Sequence, residues 1–106
     1  MNLNISKAPC ECNCKEEIRQ QIDAIDKEII ALFAQRFMYV NEIVKYKNDP
    51  ESVVAQDRKT QVIEYRGKWA EELGLDRNTF EQIYRVLIDH NIQKELELLY
   101  KRLNNE

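Results

Sequence analysis

Glycine and proline are nearly missing from this chain, with two of each in 106 residues. So few turn-formers exclude the many short reversals of an all-β protein. A chain that is 33% charged and 43% hydrophobic, with short β-branched runs, reads instead as all-helical. Histidine occurs once, at His90, off the apolar seams and expected at the surface. There is no Ser-His pair for nucleophilic catalysis, no Gly-rich phosphate loop and no cluster of metal ligands, so neither a metal nor an organic cofactor is expected. No apolar run approaches the ~18 residues of a membrane helix, and no signal-peptide core follows Met1, so the expected location is the cytoplasm. The formal charge of −3 offers no global attraction to nucleic acid. Any anion site must therefore come from locally converging cations.

The three cysteines, Cys10, Cys12 and Cys14, crowd into five residues. Their C-x-C-x-C spacing is not the C-x-x-C knuckle of zinc sites, and no second pair completes four ligands. They read as reduced thiols, with adventitious soft-metal binding as the alternative. Residues 1–14 lack apolar periodicity and read as a flexible tail, leaving 15–106 as one helical domain.

What is present is a long amphipathic stretch from Ile18 to Lys47. Steps of four and three give Ile18, Ile22, Ile25, Ile29, Leu32, Arg36, Tyr39 and Ile43, a seam that Arg36 interrupts. Lys47 lies three turns beyond Arg36 and about 20° around the axis, so the two cations share a face. Arg19 lies about 100° off that line and is aimed elsewhere. Thirty residues of helix span roughly 45 Å, against a radius of gyration near ~13 Å for a compact chain of this size. One copy covers such a helix poorly, which predicts a partner chain.

Acids at Glu16 and Glu17 open this helix, and Pro50 ends it near Asn48. A loop to about Gln56 leads to a second helix with Asp57 as candidate N-cap, Gly67 as an internal weak point and Gly74 as a C′ glycine. Asp76 is the candidate N-cap of a third helix from about Arg77 to Leu103, and the short connection predicts an antiparallel or sharply crossed pair. Following Phe80, Tyr84 and Leu87 by threes and fours arrives at Asn91 and Glu95, polar residues on a stripe that should be buried. A buried lone cation is costly, and an internal salt bridge or a snorkelling side chain would answer for Arg36 by itself. Here Arg36, Lys47 and Arg58 come from different segments, with Asn91 and Glu95 supplying hydrogen-bonding groups. Converging on one pocket, they would suit a small dicarboxylate.

The run Ile18-Arg19-Gln20-Gln21-Ile22-Asp23-Ala24-Ile25-Asp26, followed by Leu32, Arg36 and Lys47, resembles the AroQ-class chorismate mutases. Lys7-Ala8-Pro9 with Cys12, Tyr39-Val40, and Trp69 through Asp76 look like the branch containing the isochorismate pyruvate lyases. The resemblance implies an all-α fold of long, middle and long helices in an intertwined homodimer with two identical sites. It implies that Arg19 reaches into the partner's site, that Arg36 and Arg58 help bind the substrate carboxylates, and that Lys47 donates to the ether oxygen of the breaking bond. Glu95 would face the same oxygen, where many bacterial mutases carry Gln, and Asn91 stands where Ser or Thr is common. Two acids of the mutase pattern are replaced, by Ala55 and Lys59, as in the lyase branch. The implied substrate is chorismate, giving prephenate for aromatic amino acid biosynthesis, or isochorismate, giving salicylate and pyruvate. A non-catalytic helical dimer or regulatory module is a further reading, against which stands the complete cation set.

Overall fold

The structure, a computed structural model of the single chain, describes residues 7–105. The first six residues of the expected tail lie outside them. The protein is all-α, and no strand occurs among the described residues. Helix α1 runs Lys15–Ile43 and tightens into a 3₁₀ turn at Val44–Tyr46; α2 is Pro50–Val54, α3 Gln56–Glu72 and α4 Arg77–Asn104. The chain divides into two compact units, 1–38 and 39–106, with the boundary inside α1.

In the first unit, local bonds tie the segment ahead of α1 to the start of that helix. Pro9–Glu11 forms a 3₁₀ turn in which Glu11 accepts from the Ala8 amide. Glu17 accepts from the Asn13 amide at 2.7 Å and pairs with Lys7 at 3.0 Å. The Asn13 bond, then Lys7, holds the Glu17 carboxyl below its ordinary value. Cys10 and Cys14 are exposed free thiols, and Cys12 is half-buried with its Sγ on the Ala8 carbonyl. No residue of α1 is buried. Ile18, Ile22, Ile29, Leu32, Tyr39 and Ile43, most of the predicted seam, are all exposed, Tyr39 at 79%.

The second unit has two small cores. Val44, Val53 and Leu99 form one, with Ile92 and Leu96 against it; Val62, Ile63 and Ile88 form the other, with Tyr84 and Ile92. Lys59 pairs with Asp89, while Gly67 meets Glu81. Numbers rising along α3 fall along α4, so the two helices are antiparallel, as their short connection requires. A Cβ built on Gly67 would come within 2.5 Å of Glu81 Cγ and 3.0 Å of Arg77 Cγ. The expected weak point is therefore a place of close helix approach.

The α3–α4 turn is a Schellman motif. Gly74, at φ +81°, donates to the Glu71 carbonyl and Leu75 to that of Ala70. Asp76 then caps α4, accepting from the Thr79 amide at 2.9 Å and the Thr79 hydroxyl at 2.6 Å. Those bonds, the hydroxyl's foremost, hold the Asp76 carboxyl below its ordinary value.

Three local expectations are corrected. The helix read as running to about Asn48 ends at Ile43, and after the 3₁₀ turn Lys47 is extended, so helical arithmetic does not put it on a face with Arg36. The stretch expected as a loop contains α2, because Pro50 occupies the first helical position and Asp49 caps it through the Ser52 amide at 2.8 Å. Asp57 is not the cap of α3. Ala55 stands at the N-cap, with left-handed backbone at φ 40° and no side chain able to cap, while Asp57 lies inside the first turn.

Candidate functional site

The second unit brings together a cation and an acid that lie 48 residues apart. Lys47 is the residue at which the chain leaves the 3₁₀ turn after α1, in extended conformation. Its ammonium donates to Glu95 Oε1 at 3.2 Å. The Glu95 side chain is only 7% exposed and that of Lys47 19%. Asn91, one turn earlier on α4, is also buried. The polar break in the α4 stripe is thus a real feature of its buried side, as the spacing predicts.

An ammonium has three donors, and the contact with Glu95 uses one of them. Lys47 can therefore keep its anchor and still offer hydrogen bonds to an oxygen that gains negative charge. Ionised Glu95 only accepts; protonated, it becomes a second donor.

Arg58 lies in the first turn of α3, exposed, with Nη1 donating to Gln61 Oε1 at 3.2 Å. Lys59 is half-buried and paired with Asp89 at 2.5 Å. Its charge is thereby engaged by α4. The other two candidate residues belong to the first unit. Arg36 is half-buried on α1, and Arg19 is exposed and pairs along its own helix with Glu16 at 3.2 Å. His90 is exposed, as expected. A groove of about 240 Å³ between α3 and α4, walled by Lys59, Glu64, Glu81 and Arg85, includes none of the six candidate residues.

One residue of this region escaped the sequence reading. Arg102 donates Nη1 to the Val44 carbonyl at 2.8 Å and Nη2 to the carbonyl of Lys47 itself. Glu95, Leu99 and Arg102 follow at i, i+4 and i+7 on one face of α4, so a cation on the buried stripe was the available signal. Among the described residues, no helix is long and apolar enough to cross a membrane.

Residues 18–96 match the family Chorismate mutase type II. The isochorismate pyruvate lyase of Pseudomonas aeruginosa is 30% identical over 91 residues, covering 86% of this chain and 90% of that protein. The chorismate mutase of Methanocaldococcus jannaschii is 32% identical over 88 residues, covering 74% of this chain and 83% of its own. The T-protein of Haemophilus influenzae is 26% identical over 92 residues, which are 86% of this chain and 24% of that protein.

Proposed function

Because the chain belongs to the chorismate mutase type II family, we propose that it converts chorismate to prephenate in the cytoplasm, as a homodimer with shared sites and no cofactor. The observation that carries the reading is the Lys47–Glu95 pair, a cation and an acid set on the buried side of α4 with Asn91 one turn away. The reaction breaks the ether C–O bond while a C–C bond forms, and negative charge develops on the departing oxygen. It needs no nucleophile. A donor fixed where that charge appears, and a pocket that keeps the substrate folded, can supply the acceleration. In this reading Lys47 donates to the ether oxygen, with Glu95 facing the same atom and Asn91 beside them. Arg36 and Arg58 bind the two carboxylates with Arg19 from the second copy. The exposed apolar seam of α1 supports the dimer, since Ile22, Leu32 and Tyr39 remain in water unless another surface covers them.

A second reading, isochorismate pyruvate lyase, is favoured by two positions. Ala55 and Lys59 replace acids of the mutase pattern, and Lys59 is paired with Asp89. Elimination of pyruvate, with a hydrogen moving within the substrate, leaves salicylate and makes similar demands on the pocket. Incubation with chorismate and isochorismate separately, followed by product identification, tests both. Prephenate supports the first reading, and salicylate with pyruvate the second. Turnover of neither by a folded dimer would leave the non-catalytic module.

A further inference from the structure

We propose that Arg102 is a positioning residue that sets where the Lys47 ammonium sits, an inference resting on the reading of Lys47 as the donor to the breaking bond. Lys47 follows the 3₁₀ turn directly, at φ −116° and ψ 132°. The direction of its side chain therefore depends on how firmly that last peptide is held. Its amide donates to the Val44 carbonyl at 3.0 Å, closing the turn. Arg102 then bridges the turn from outside, one terminal nitrogen on the Val44 carbonyl and the other on the Lys47 carbonyl. A planar guanidinium with its donors in a fixed fork restrains the rotation of a peptide as well as its distance.

The same face of α4 holds Lys47 at three levels. Glu95 takes the ammonium, Leu99 packs against Val44 with no exposure, and Arg102 takes the main chain. A shift of this turn along α4 would thus move both ends of Lys47 against fixed partners. The arrangement is not the cheapest means of stabilising a helix end. Arg102 Nε is buried and lacks a hydrogen-bond partner among the described residues, a cost that a lysine or a neutral side chain would avoid. What the guanidinium offers at that cost is two-point geometry, and geometry matters most to the residue whose carbonyl it grips.

The test is Arg102→Met and Arg102→Lys, each measured for kcat and KM on the substrate that the wild type turns over, and for melting temperature. Both are repeated in a Lys47→Ala background, on its residual rate. Displacing a catalytic group by about 1 Å can cost up to 10²-fold in rate, so kcat of Arg102→Met is expected to fall about tenfold or more with a smaller change in KM. Arg102→Lys keeps the cation but cannot bridge both carbonyls rigidly, and should lose activity as well; it carries the test if the Met variant does not fold. With Lys47 already removed, neither change should cost anything further. Wild-type kcat in folded Arg102 variants, beside a Lys47→Ala reduced to a low residual rate, overturns the inference alone. An equal fold-loss in both backgrounds, with lowered melting, also overturns it and makes Arg102 merely structural. Full turnover in Lys47→Ala overturns the reading of the site, and the inference with it.

Discussion

The Lys47 ammonium meets Glu95 Oε1 at 3.2 Å, and the acid is the more deeply buried partner. Burial of a carboxylate is tolerable only with a counter-charge or a proton. In the chain without ligand Lys47 supplies the charge. A ligand oxygen competing for the ammonium changes that balance, so ligand binding and the Lys47–Glu95 contact are physically linked.

Leu99→Ala tests the packing beneath this pair. Leu99 has no exposure and joins Val44 to Val53, so its truncation should cost about 2–5 kcal/mol by loss of transfer energy and creation of a cavity. Denaturant unfolding measures it. Because Val44 begins the turn that ends at Lys47, kcat should fall even where the variant is fully folded.

Gly67→Ala sets helix propensity against close packing. Alanine gains about 1 kcal/mol over glycine in a helix interior, while overpacking costs about 1–3 kcal/mol. The colliding atoms are Glu81 Cγ and Cδ, at 2.5 and 2.9 Å, and moving them disturbs the Arg77–Glu81 pair. Net destabilisation of about 1 kcal/mol is expected on these terms. Glu81→Ala should recover most of it in the double variant, and thermal unfolding of the three proteins decides. Recovery failing would place the strain in the backbone instead.

The stripe reaching Asn91 and Glu95 was legible because a 3.6-residue period has few ways to bury a face, whereas most of the seam that Arg36 interrupts is exposed in the single chain. Gly74 and Asp76 were legible because each makes a bond within four residues of itself. Three features were not. Pro50 reads as a stop for one helix, yet its fixed φ also begins the next, and only the Asp49 contact to Ser52 tells which meaning applies. The contacts of the segment before α1 come from Glu17 reaching back to Asn13 and Lys7, which leaves no trace in periodicity. Arg102 grips main-chain carbonyls 55 and 58 residues away, and a backbone partner has no residue type by which to foresee it.

The dimer is tested by complementation. Arg19 and Arg36 lie on one helix, and the proposed site takes Arg36 from one copy and Arg19 from the other. Arg19→Ala and Arg36→Ala should each abolish turnover. Mixing the two inactive proteins under conditions of subunit exchange should restore part of it, because a hybrid dimer keeps one site with both arginines. Sedimentation run alongside should show dimers at micromolar concentration. A stable, active monomer, or no recovery despite proven exchange, would rule out the shared site.

Glu95 gives the sharpest expectation, because its two protonation states do opposite things to the same oxygen. Ionised, it accepts from Lys47 and repels the negative charge that develops as the ether bond breaks. Protonated, it donates to that charge. A neutral donor at position 95 should therefore serve the reaction better than a carboxylate does. The amide of Glu95→Gln donates without carrying a charge, so this variant should keep or exceed wild-type activity near pH 8. The structure supplies the competing role as well, since Gln cannot give Lys47 the charge that Glu95 Oε1 gives it at 3.2 Å. Measuring kcat/KM against pH for both proteins, with chorismate and then isochorismate, separates the two. A Glu95→Gln variant inactive at all pH values would make Glu95 an ionised anchor for Lys47, and the donor to the breaking bond would then be Lys47 alone.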